Sequence, residues 1–125
     1  MSSALRSASG GQRAEPNLND IRTTIKYLRT KIRSESIASG TVASVLCIHI
    51  TDREKQDALM KLLNEQKWVP LAIELRNFEK DQTRALIEDA AYDVHSDHLL
   101  RNKALLILLL KALRPVVTKI ADKKH

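Results

Sequence analysis

Arg22, Lys26, Arg29 and Arg33 are the residues of this chain whose type and spacing point most directly to a chemistry. Steps of 4, 3 and 4 keep all four on one face of a helix. Each follows an apolar residue (Ile21, Ile25, Leu28 or Ile32), so a second stripe lies about 100° around the same axis. Such a helix presses its apolar stripe on a core and carries a row of cations beside it. The row spans about 16 Å, comparable to the major-groove width of about 12 Å. Lys31 adds a fifth cation off the row, and no acid stands between Asp20 and Glu35. A helix that is only solvated tends to alternate sign and gain i,i+4 pairs, so the missing acids favour an anionic partner. Asn, Gln and Ser are scarce on this face, which favours phosphate contact over base readout. The sequence therefore predicts nucleic-acid backbone contact by Arg22, Lys26, Arg29, Lys31 and Arg33, with a plain solubilising face as the alternative. Lys103, Lys111, Arg114, Lys119, Lys123 and Lys124 could extend the footprint, and Arg6 and Arg13 could act as mobile arms.

Other residue sets give weaker signals. The three glycines are Gly10, Gly11 and Gly40. A P-loop, a dinucleotide fingerprint or a nucleophile elbow needs glycine where the backbone meets phosphate or turns sharply, and none can be built after Gly40. Cys47 and His49 are two apart, too far along a strand for a Cys–His catalytic pair. Asp93, His95, Asp97 and His98 are the densest set of potential metal ligands, but they fall where two helices join and such residues serve as caps. Glu88, Asp89 and Asp93 read as a solvated acidic face, with Arg84 and Glu88 as an i,i+4 pair. No catalytic residue, metal or cofactor is expected. Four aromatics without clustering argue against a base-stacking platform.

Charge is segregated along the chain. The total is +6, yet residues 81–100 hold one basic and five acidic residues, and residues 101–125 hold seven basic and one acidic. Basic ends and an acidic interior helix suit anionic partners, and they suit head-to-tail self-association as well. Cys47 is the one cysteine, which excludes an intrachain disulfide and a cysteine-based zinc cluster and favours a reducing, cytoplasmic setting. The longest apolar run, Ala104–Leu110, is seven residues, far below a membrane span. Residues 1–16 read as a flexible Ser-rich tail, with an organellar transit peptide as the less favoured alternative.

The elements that must position these residues read as a single α/β domain over residues 17–125, with α+β as a variant. Asn17, Asn19 and Asp20 offer N-caps for a first helix reaching about Ser34. Glu35–Gly40 reads as a linker. Val42–Ile50 is apolar on both alternating faces and rich in β-branched residues, which predicts a central strand. Thr51 and Glu54 form a capping box opening a helix to about Lys67, closed by Trp68 and Pro70. Leu71–Leu75 alternates and reads as a second strand, so the unit is βαβ with a short parallel sheet. Two helices follow, Glu79 to Val94 and Leu99 to Leu113, the last stopping before Pro115. Val116–Ala121 is expected as a third strand or a docked tail.

The run Val45–Leu75, with Asp52 just after the first strand and a second strand ending in Ile73-Glu74-Leu75, resembles the first half of ferredoxin-like proteins of the small CRISPR-associated nuclease kind. The likeness covers about a quarter of the chain and implies a ferredoxin-like sheet. A Leu-rich helix replaces the later strands of that family, so no nuclease role is carried over to Asp52.

The Leu-rich last helix is apolar around most of its circumference and is expected to be largely buried. In a domain this small, that favours a homodimer interface, against a central helix within one monomer. The function expected from the sequence is a non-enzymatic nucleic-acid-binding regulator or accessory protein. The alternative is a protein–protein adaptor or assembly subunit built on the segregated charge and the Leu-rich helix.

Overall fold

The computed structural model describes residues 16–34, 38–92 and 97–123. Five helices follow one another: α1 (Ile21–Ser34), α2 (Ser39–His49), α3 (Arg53–Asn64), α4 (Trp68–Tyr92) and α5 (Asp97–Lys123). There is no strand among the described residues, which overturns the α/β class, the βαβ unit and the ferredoxin-like sheet. The tail expected at residues 1–16 lies almost wholly outside the described residues, as do Asp93, His95 and Lys124.

The expected first strand is helix α2, for a specific reason. Val42, Val45 and Leu46 are fully buried, with Ile50 just past the helix end, a spacing that belongs to a 3.6-residue period. Cys47 and Ile48 are exposed. In a run this apolar, alternation and helical period both leave apolar residues on every face, and β-branched content tipped the expectation the wrong way. Tertiary packing overrides that weak propensity.

The expected second strand is the first two turns of α4. Leu71 and Leu75 are fully buried at i,i+4, while Ile73, which alternation would place on their face, is 53% exposed. Pro70 sits in the first turn, where its missing N–H has no intrahelical partner to lose. Pro115 was expected to end the last helix, yet α5 runs through it to Lys123. Val116, Val117, Ile120 and Ala121 beyond it are buried, and that packing outweighs the loss of one backbone bond. The segment Val116–Ala121 is therefore neither strand nor docked tail.

The joints are defined by hydrogen bonds. Asp52, not Thr51, caps α3, its Oδ1 accepting from the Lys55 N–H at 3.3 Å. Gln56 Nε2 donates to the Ile50 carbonyl at 2.9 Å and the Cys47 carbonyl at 3.0 Å, satisfying acceptors left open at the end of α2. Helix α3 ends in a Schellman turn: Gln66 has φ 56°, its N–H donates to Leu63 O at 3.0 Å, and Lys67 N–H donates to Leu62 O at 2.9 Å.

Helix α5 is the spine. It packs along α4 and α1 and touches α2, and α3 bridges α2 and α4. Leu109, Leu110, Leu113 and Val116 are buried against Ile25 and Leu28 of α1, Leu71, Leu75 and Phe78 of α4, Val42 and Leu46 of α2 and Leu59 of α3. The chain's own helices supply much of the burial of α5, which is the central helix within the chain. Its exposed large apolar side chains are Leu99 and Leu108.

Candidate nucleic-acid interface

Helix α1 is anchored at both ends. At its start, Asp20 Oδ1 accepts from the Arg22 N–H at 3.1 Å and Oδ2 accepts from the Thr23 hydroxyl at 2.9 Å. The Thr23 hydroxyl, joined by the Arg22 amide and the nearby Arg22 charge, holds the Asp20 carboxyl below the ordinary carboxylate range. The buried Thr24 hydroxyl donates to the carbonyls of Leu18 and Asp20, at 2.8 and 2.9 Å. His49 Nε2 donates to the same Leu18 carbonyl at 2.7 Å, which ties the end of α2 to the approach of α1. At the far end, Lys119 Nζ of α5 donates to the Ile32 carbonyl. Ile21 shares a groove with Leu99 and Leu106 of α5, and Ile32 meets Lys119, so α1 and α5 run parallel.

With Ile25, Leu28 and Thr24 buried, the basic row is turned outward. Arg22, Lys26, Arg29 and Arg33 are all exposed, and none of them forms a salt bridge among the described residues. Other helices of the same chain do pair their surface cations: Arg53 with Asp57 at 3.8 Å on α3, and Arg84 with Asp81 at 3.7 Å on α4. The expected Arg84–Glu88 pair is replaced by this second contact. Helix α1 has no acid to offer its own cations. Lys31 is separated from the row, roughly 170° around the axis from it. It is half-buried, with its Nζ 5.5 Å from the centre of the Tyr27 ring. The four residues singled out by spacing therefore form one surface, and Lys31, the fifth residue of the expected site, does not join it.

The remaining sequence signals are dispersed. Cys47 is exposed with its Sγ 3.9 Å from Met60 Sδ, whereas His49 reaches Leu18, so the two have different neighbours. Asp52 is spent on its cap. His98 is exposed and hydrogen-bonds Asn102 at 3.3 Å. No group of three or more metal-ligating side chains occurs among the described residues. No helix among them is long and apolar enough to cross a membrane.

One feature escaped sequence reasoning. The Glu79 side chain is only 8% exposed and takes Lys111 Nζ and Arg114 Nε, each at 2.8 Å. Burial pushes its carboxyl up, but the two cations outweigh burial and hold it below the ordinary range. Lys111 and Arg114, expected as possible extensions of the basic footprint, are thereby committed to the α4–α5 seam. The i,i+3 spacing of these cations was visible, but their partner 35 residues away from Arg114 was not. No known protein-family model, curated protein or solved structure matches this chain, so the fold and the surface stand on their own geometry.

Proposed function

We propose that this chain is a non-enzymatic nucleic-acid-binding protein, a regulator or accessory factor that takes the phosphate backbone along α1. The observation that carries this is the exposed row Arg22, Lys26, Arg29 and Arg33, without a salt bridge among the described residues, on a helix devoid of acids. The row is held on a helix fixed at both ends by Asp20 and Lys119. With the helix backbone already ordered, only the side chains lose freedom on meeting phosphate, and their charge releases counterions from it. Arg side chains at three of the four positions suit bidentate phosphate contact. Contact with phosphates through charge alone is sequence-independent. A single exposed cysteine supports a reducing, cytoplasmic setting.

Fluorescence anisotropy with duplex DNA, duplex RNA and single strands across a salt series tests the proposal. Four neutralised duplex phosphates give a log–log salt slope of about −3.6. Replacing Arg22, Lys26, Arg29 and Arg33 together by Gln is expected to abolish that slope and the binding with it. Equal affinity of the replaced and native chains would end the proposal.

A further inference from the structure

Helix α4 carries a second charged row, of opposite sign. Glu74, Asp81 and Glu88 are all exposed and stand seven residues apart. Seven residues return a helix to within about 20° of the same face and advance it by about 10.5 Å. The basic row of α1 has the same repeat: Arg22 and Arg29 are seven apart, as are Lys26 and Arg33. An α1 laid along an α4 can therefore set two of its cations against two successive acids in register. Within one chain this cannot happen, because α1 and α4 pack along α5 without substantial contact with each other. Glu74 and Glu88 have no salt bridge among the described residues. Asp81 has one, to Arg84 at 3.7 Å, between two well-exposed side chains that exchange partners at little cost. Ile73 and Val69, 53% and 50% exposed, stand about 80° and 120° around the helix from the acidic row and add apolar area that water does not favour on the neighbouring face. Arg76 and Lys80 share that neighbouring face, away from the acids, so a partner's cations are steered to the acidic side of the helix.

We propose that the α4 face of Glu74, Asp81 and Glu88 docks a second copy of this chain through that copy's Arg22, Lys26, Arg29 and Arg33. The contact is heterologous: each copy presents α1 to one neighbour and α4 to another, so assembly grows as an open chain or closes as a ring. This inference does not depend on nucleic-acid binding. The two uses of α1 exclude each other, so a polyanion disperses the assembly.

Sedimentation velocity on the full chain, over a concentration series at about 20 mM and about 300 mM salt, tests it. The sedimentation coefficient is expected to rise with concentration at low salt and to lose that rise at high salt. The variant Glu74→Gln/Asp81→Asn/Glu88→Gln is expected to associate at least about tenfold more weakly. Its nucleic-acid affinity should not fall, since α1 is intact. Two charge-reversed chains give an independent check: Arg22→Glu/Lys26→Glu/Arg29→Glu/Arg33→Glu, and Glu74→Lys/Asp81→Lys/Glu88→Lys. Each alone carries rows of one sign and should stay monomeric, whereas their mixture should assemble. A native chain monomeric throughout at low salt, an acid-neutralised variant that assembles like the native one, or a mixture that stays monomeric would each overturn the proposal. None of those results bears on binding of α1 to nucleic acid, which the anisotropy series decides separately.

Discussion

Arg114 Nε donates to Glu79 Oε1 at 2.8 Å across the seam between α4 and α5. With Lys111 on the other carboxylate oxygen at the same distance, Glu79 has a cation on each oxygen, and the carboxylate is the one member of the three that is out of water. Its folded pKa is lowered, so its stabilisation is present above the unfolded glutamate value of about 4.3 and is lost as pH falls through the lower folded value. Glu79→Gln should therefore cost about 1–3 kcal/mol at neutral pH, because the neutral amide turns a donor toward one of the two cations. Arg114 is one-third exposed and Lys111 half exposed, so both recover hydration and the loss stays in that range. Urea unfolding between about pH 7 and pH 3 should show a shallower acid-side decline in the variant than in the native chain.

Helix α5 should become more stable when Pro115 is replaced by Ala. Pro115 is exposed and interior to the helix, so it leaves the Lys111 carbonyl without its i+4 donor. Ala restores that donor without touching the buried Val116 and Val117. A gain of about 1–2 kcal/mol is expected in chemical denaturation, reduced from the full helix-interior penalty of about 3 kcal/mol because proline also stiffens the unfolded chain. Had the helix ended at Leu113, as the proline suggested, the same change would give no gain.

The legible and illegible parts of the chain differ in how cleanly their residue classes separate. Around α1 the sequence is explicit about the stripes: the apolar residues take one, the cations take another, and the helix found is Ile21–Ser34, with Asp20 serving as cap out of three candidates. The exposed row was readable for the same reason, but Lys31, expected to act with it, packs over Tyr27 and stays apart from it. Around α2 the classes do not separate, since Val42 to Ile50 is apolar almost throughout and supports two periods equally. Leu71 to Leu75 is too short to distinguish alternation from i,i+4 spacing. Only Leu71 and Leu75 being buried while Ile73 is exposed decides it, and that depends on α5 lying alongside. The acidic partner of Lys111 and Arg114 is a long-range relation that no local pattern encodes.

Gln66 occupies the left-handed region at φ 56° in the turn that closes α3, a position that glycine takes without a Cβ penalty. Gln66→Gly should stabilise the chain by about 0.5–1 kcal/mol, the relief of the Cβ contact being partly offset by the freer unfolded chain. Gln66→Val, with a branched Cβ in the same turn, should destabilise it by about 1 kcal/mol or more. Thermal melts of the two variants moving in opposite directions would establish the turn. A shift of the same sign in both would contradict it.

The helical geometry of Val42–His49 is open to a direct test, because strand and helix sort the same side chains differently. A strand would place Ile48 on one face with Leu46 and Ile50. Helix α2 turns Ile48 toward solvent at 37% exposure while Val45 and Leu46 have none. Ile48→Lys is therefore expected to cost under about 1 kcal/mol, since the aliphatic stem stays on the surface and the ammonium reaches water. Val45→Lys, which buries a charge in the apolar core, should cost about 3 kcal/mol or more and leave little folded protein. Urea midpoints for the two variants separate the geometries: a helix gives a large gap between them, whereas a central strand covered on both faces would make both substitutions disruptive.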